Sequence, residues 1–106
     1  MAKVAIVTGA SRGLGRGIAL TLAKEAGYKV YATARNKTAL ENLAGEVSGV
    51  SGEGVIIPSV VDQSDDAQVE KFVSAVVSEN KQIDVLVNSA YGGLIAMTPH
   101  LSLIHI

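Results

Sequence analysis

The 106-residue chain predicts an α/β fold around a doubly wound parallel sheet, with its strands in the order 3-2-1-4. Three observations support this reading. Short β-branched runs alternate with stretches of helical periodicity, the pattern of parallel strands joined by right-handed crossovers. The first run, "KVAIVT", is apolar almost throughout rather than alternating, as suits a strand covered on both faces. A glycine-rich turn, "TGASRGLGRG" from Thr8 to Gly17, falls at the junction of the first strand and the first helix.

The first strand is predicted over Lys3 to Thr8 and is stopped by Gly9. A helix follows from Gly13 to about Ala26, its apolar stripe being Leu14, Ile18, Leu22 and Ala26, and Gly27 caps it. The second strand runs from Lys29 to Ala34. A weaker helix from Thr38 to about Val47 places Leu40, Leu43, Ala44 and Val47 on one face. "SGVSGEG" (Ser48 to Gly54) is a loop, and Val55 to Val61 is the third strand. Proline cannot donate to a ladder, so Pro58 indicates an edge position or a bulge. Ser64 is the expected cap of a third helix that runs to about Glu79, with Asp65 and Asp66 in its first turn. Its predicted buried stripe is Val69, Phe72, Val73, Val76 and Val77. Asp84 to Val87 is the fourth strand, and "NSAYGG" is the turn after it.

The composition narrows the function classes. The chain is 48% hydrophobic and 4% aromatic, with a mean hydropathy of +0.34, an apolar balance that suits a buried sheet. A net charge of −1 gives no polyelectrolyte signal for nucleic acid or an anionic membrane. The lack of cysteine rules out a disulfide framework and thiolate metal sites. His100 and His105 have no second ligand at metal spacing, so no metal is expected. No uninterrupted apolar run approaches the ~18 residues of a membrane span, and "MAKVAIVTGA" ends in the glycine turn rather than at a cleavage site. The protein is expected to be soluble and cytoplasmic.

The glycines have a physical purpose. A helix N-terminus presents unpaired N–H groups and the positive end of its dipole, and a phosphate placed there is stabilised without any side chain. Glycine is needed where the chain turns sharply and where a side chain would hold a pyrophosphate away. The spacing here is Gly9-x3-Gly13-x-Gly15, set between a strand and a helix. Gly17 lies inside the helix and is expected to serve close packing against the sheet.

"TGASRGLG" resembles the T-G-x-x-x-G-x-G signature of the short-chain dehydrogenase/reductase family. Asp62 after the third strand and "NSAYG" after the fourth fall where that family carries an Asp and an N-N-A-G. The resemblance covers Lys3 to Gly93. Ser89 departs from the second Asn and Tyr91 from the Gly, and an N-N-A-Y version is similar to the family's member 1-like subgroup. The resemblance implies a Rossmann-like fold of which this chain is the N-terminal half only, β-α-β-α-β-α-β. It also implies a dinucleotide site built from Gly9, Ser11, Arg12, Gly13, Leu14 and Gly15 in the turn, and from Arg35 and Asn36 after strand two. Asp62 and Gln63 would lie against the adenine, and Asn88, Ser89 and Ala90 beside the sheet and the ribose.

The end of strand two selects the cofactor. An acidic residue there would accept from the ribose 2′-OH of NAD and repel a 2′-phosphate. This strand ends "YATARN", so Ala34 stands where an NAD enzyme would carry Asp. Arg35 comes next, and Arg12 can approach the same phosphate from the glycine turn, so NADP(H) is the expected cofactor. The lesser alternatives are a solvated surface for both arginines, a helix cap for Asp62 and an ordinary turn for Asn88.

No catalytic residue is expected in the chain. The family uses a Tyr with a Lys four residues later, and a Ser. Tyr28, Tyr31 and Tyr91 are followed at that spacing by Ala32, Arg35 and Ile95. Residues 1–98 are expected to form a partial NADP-binding domain, and residues 99–106, which do not resemble a family segment, to be a non-native or truncated tail. Strand four would then be an unpaired edge. The implied parent is an oxidoreductase acting on a small carbonyl or alcohol substrate, working as a homo-oligomer. A stand-alone nucleotide-binding fragment and a flavodoxin-like domain remain alternatives.

Overall fold

The computed structural model describes residues 3–11, 13–47, 54–62, 64–88, 94–97 and 102–105. Its elements are β1 (Val4–Thr8), α1 (Gly13–Lys24), β2 (Lys29–Ala34), α2 (Lys37–Gly45), β3 (Val55–Val60), α3 (Asp66–Asn80), β4 (Val85–Asn88), β5 (Leu94–Met97) and β6 (Ser102–His105). They form one six-stranded sheet in the order β3-β2-β1-β4-β5-β6. The predicted 3-2-1-4 core is present and parallel throughout.

Strand four is not an edge, contrary to expectation. β5 pairs with it antiparallel from Asn88↔Leu94 to Val85↔Met97, and β6 continues antiparallel on β5. An antiparallel neighbour needs only a short connection, whereas a parallel one needs a crossover of about a dozen residues. β3 is the outer strand at the other end of the sheet, and Pro58 sits there opposite Ala32, where a missing donor costs least.

Both faces of the central parallel strands are covered. Ala5, Val7, Val30, Ala32, Val85 and Val87 meet Ala19 and Ala23 of α1 and Leu40 and Leu43 of α2. On the opposite face Val4, Ile6 and Tyr31 meet Val76, with Phe72 and Val73 of α3 against them.

The buried stripe of α1 is not the predicted one. Gly15, Ala19 and Ala23 face the sheet, Ile18 and Leu22 are half-buried beside them, and Leu14 is 56% exposed. Small side chains sit at the point of closest approach and let the larger ones wedge in at its flanks. Gly17 does not take the packing role expected of it, since it is exposed and a Cβ there would meet nothing within 4 Å among the described residues; Gly15 is the buried glycine of α1. Similarly, α3 turns Val77 outward, 42% exposed, one helical step from the buried Val76.

The helix ends show why the segments stop where they do. Gly27 takes φ +71° after α1, and the Tyr28 amide returns to the Leu22 carbonyl at 3.0 Å. Asp65, not Ser64, caps α3: its Oδ1 accepts from the amides of Ala67 at 3.1 Å and Gln68 at 3.2 Å. Ser64 lies one residue too early for that, and its hydroxyl is committed elsewhere. At the far end of α3, Asn80 accepts from Lys29 Nζ at 2.9 Å and donates to the Tyr31 hydroxyl at 2.9 Å, tying the helix to β2.

Candidate functional site

In a parallel sheet all strands point the same way, so the segments leaving their C-terminal ends gather along one edge. Here that edge collects Gly9 and Ala10 after β1, Arg35 and Asn36 after β2, Val61 and Asp62 after β3, and Asn88 at the end of β4.

Two residues of the glycine turn occupy left-handed backbone, Gly9 at φ +62° and Gly13 at φ +63°. α1 begins at Gly13, so its unpaired amides open toward the turn. Among the described residues nothing beyond its chain neighbours and its own helix lies within 4 Å of where a Cβ on Gly13 would stand. The turn thus keeps a space beside the helix N-terminus that suits a pyrophosphate. The amide of Ala10 donates to the Thr33 carbonyl at 3.0 Å and fastens the turn to β2. Ser11 is half-buried in this turn and Leu14 projects outward from the first turn of α1. Gly15 is buried. Arg12 lies outside the described residues.

The Val61 amide donates to the Ala34 carbonyl at 3.1 Å, so Arg35 and Asp62 leave the sheet from adjacent strand ends. Arg35 is exposed. The Asp62 carboxyl is held below its ordinary value chiefly by hydrogen bonds from the hydroxyl and amide of Ser64; burial opposes them, and the Arg35 charge adds a lesser lowering. Asn36 caps α2, its Oδ1 accepting from the Ala39 amide at 3.0 Å, which occupies the side-chain oxygen. Asn88 closes β4 in register with Thr8, and Thr8 Oγ1 donates to the Val87 carbonyl at 3.3 Å. Gln63, Ser89 and Ala90 lie outside the described residues.

Three further residues shape this edge. Ser64 and Gln68 brace Asp62, and Thr33 anchors the glycine turn through its carbonyl. The Asp62-x-Ser64 spacing of an Asx turn could have pointed to Ser64. Gln68 and Thr33 carry no such signal, because the contacts that matter cross between elements. Among the described residues no three His, Asp or Glu side chains gather to hold a metal ion, and no helix is long and apolar enough to cross a membrane.

The chain matches the family model of the short chain dehydrogenases over residues 3–103. It belongs to the short-chain dehydrogenase family. Within that family it is 45% identical over 96 residues to dehydrogenase/reductase SDR family member 1 of Mus musculus, covering 90% of this chain and 30% of the relative. It is 38% identical over 88 residues to the 3-oxoacyl-[acyl-carrier-protein] reductase of Salmonella typhimurium, covering 83% of this chain and 34% of the relative. Among solved structures, the alcohol dehydrogenase of the archaeon Thermococcus sibiricus, complexed with 5-hydroxy-NADP, superposes with a TM-score of 0.70 at 36% identity, over 81% of this chain and 36% of that one. The chain therefore spans about a third of the length of the relatives it matches.

Proposed function

We propose that the chain forms the NADP(H)-binding portion of a short-chain oxidoreductase that reduces a carbonyl or oxidises a secondary alcohol. The observation that carries this reading is the convergence on one sheet edge of two left-handed glycines, a helix N-terminus, Arg35 and Asp62. Bound there, the nicotinamide would supply or accept the hydride. The amides at the start of α1 hold the pyrophosphate, Arg35 and Arg12 hold the 2′-phosphate, and Asp62 with Gln63 lines the adenine. Residues 1–98 supply this unit, with Ser89 and Ala90 beside the ribose. The relative complexed with 5-hydroxy-NADP supports the choice of a phosphorylated dinucleotide. A small carbonyl or alcohol substrate, a homo-oligomeric state and a cytoplasmic location belong to the same reading and rest on family resemblance.

A second reading is a stand-alone nucleotide-binding fragment without catalysis. Both readings meet the same test. Calorimetric titration of the chain should show tighter binding of NADPH than NADH. Arg35→Ala should weaken NADPH roughly 10- to 100-fold and leave NADH little changed, because a charge-assisted contact contributes about 1.5–3 kcal/mol. Equal affinity for the two dinucleotides in the unaltered chain would remove the 2′-phosphate assignment.

A further inference from the structure

β3 is the outermost strand of the sheet, and among the described residues nothing pairs with its outer side. Two contacts fix the direction of its main-chain groups. The amide of Val55 donates to the Tyr28 carbonyl at 3.2 Å, and that of Val61 to the Ala34 carbonyl at 3.1 Å. Main-chain groups alternate in direction along a strand, so Val55, Ile57, Ser59 and Val61 turn their N–H and C=O toward β2. Ile56, Pro58 and Val60 turn theirs to the open edge. The missing donor of Pro58 therefore falls in the middle of that edge, between the outward amides of Ile56 and Val60. Its ring stands where an amide hydrogen would be.

An open edge is a template for another strand, and folds guard it with charged side chains, a bulge, shortness, a covering element or proline. β3 carries no charged residue from Val55 to Val61, "VIIPSVV". Its register with β2 runs unbroken from Lys29↔Val55 to Ala34↔Val60, which leaves no bulge. Six residues is an ordinary strand length. Val55 is 46% exposed, Val60 is 56% exposed and Pro58 is exposed between them, so no described element covers the edge. A net charge of −1 adds little repulsion between copies. Proline is the one guard present among the described residues. With another apolar or hydroxyl residue at 58, the segment would be an uncharged run of high β-propensity, the composition of strands that pair between chains.

We propose that Pro58 is a gatekeeper that bars a second copy of this chain from the outer edge of β3. The pairing it prevents is antiparallel about a twofold axis at residue 58, where an identical edge is its own complement. Ile56 of each copy would lie opposite Val60 of the other with outward groups facing, and each such pair exchanges two hydrogen bonds. At the centre Pro58 meets Pro58. Neither has a hydrogen to donate, and the two rings hold the strands apart. Shifting the register moves the gap without removing it, since each copy brings its own proline.

The test is sedimentation velocity of the unaltered chain and of Pro58→Thr over a range of concentrations, with amide hydrogen exchange read by NMR on both. Pro58 is exposed, so threonine displaces nothing in the core, and thermal melts accompany each variant. Threonine restores the outward donor in both copies, and Pro58→Thr should self-associate roughly 10- to 100-fold more tightly than the unaltered chain. The Ile56 and Val60 amides, quick to exchange in the unaltered chain, should become protected in Pro58→Thr to the level of Ile57 and Ser59. Adding Val60→Lys to Pro58→Thr sets a charge at the edge and should return association to that of the unaltered chain.

Equal association of Pro58→Thr and the unaltered chain overturns the gatekeeper role. So does association that leaves the Ile56 and Val60 amides exchanging quickly, because the contact then lies elsewhere. Protection of both amides in the unaltered chain overturns it without any variant, since the edge is then already taken.

Discussion

Thr33 shows how much a single atom can reveal. Its side chain is 0% exposed, yet Oγ1 has no hydrogen-bond partner among the described residues, while its carbonyl holds the Ala10 amide. A buried hydroxyl left unpaired costs about 1–3 kcal/mol, and valine has the same shape without it. Thr33→Val should therefore raise the urea midpoint of unfolding, with a gain of about 1 kcal/mol, and an unchanged or lower midpoint would count against an unpaired hydroxyl. Asp62 is the opposite case, a carboxylate rich in donors. Ser64 holds its carboxyl below the ordinary value, first through the hydroxyl and then through the amide; burial opposes them, and the Arg35 charge adds the least. A depressed carboxylate adds stability above its unfolded value of about 3.9, and that stability is lost as pH falls through the folded value. Ser64→Ala should move the Asp62 midpoint upward in a carboxyl-carbon NMR titration and make acid destabilisation below about pH 4 shallower. A midpoint that stays in place would show that the Ser64 contacts do not hold in solution.

At the scale of the element, two glycines of one helix have opposite roles. Gly13 begins α1 at φ +63°, a conformation that costs other residues about 1–2 kcal/mol. Gly17 lies within α1, exposed, with open space at its Cβ position. Alanine there gains about 0.5–1 kcal/mol of helix propensity and meets no neighbour. Denaturant unfolding should therefore show Gly13→Ala destabilised and Gly17→Ala stabilised, and only the first should also weaken nucleotide binding. A destabilised Gly17→Ala would restore the packing role that sequence spacing suggested for it. The same element explains why spacing misled. A stripe of Leu14, Ile18 and Leu22 marks a helix, but the contact line of a helix laid close on a sheet belongs to its smallest residues, Gly15, Ala19 and Ala23.

Across the whole molecule, the outer strand β3 is seated by one residue. Gly54 donates to the Ala23 carbonyl at 2.7 Å, and a Cβ on it would stand 1.9 Å from the Tyr28 carbonyl oxygen. That oxygen is backbone at the root of β2 and accepts from Val55, so it cannot swing aside. Gly54→Ala should force β3 away from β2 and cost about 1–3 kcal/mol, read as a lower melting temperature. An unaltered melting temperature would mean that the Ala23 and Tyr28 contacts do not hold β3 in place. β3 carries the Asp62 turn, so the same variant should also weaken nucleotide binding. Long-range contacts of this kind join the site to the core: Gly54 to α1, Asn80 to β2, and Ala10 to Thr33.

The sequence by itself determined the strand–helix alternation, the parallel 3-2-1-4 core and the glycine turn at the first helix, and it limited Pro58 to an edge position or a bulge. Each follows from local chemistry: β-branched runs, helical periodicity, glycine's access to positive φ, and proline's missing donor. Tertiary structure alone decided which face of α1 is buried, that Asp65 rather than Ser64 caps α3, that β5 closes the edge of β4, and that Gln68 reaches Asp62. Those outcomes depend on which surfaces meet across the sheet. A side chain such as Gln68 or Ala19 acquires its role from a neighbour on another element, and no local pattern in the chain records it.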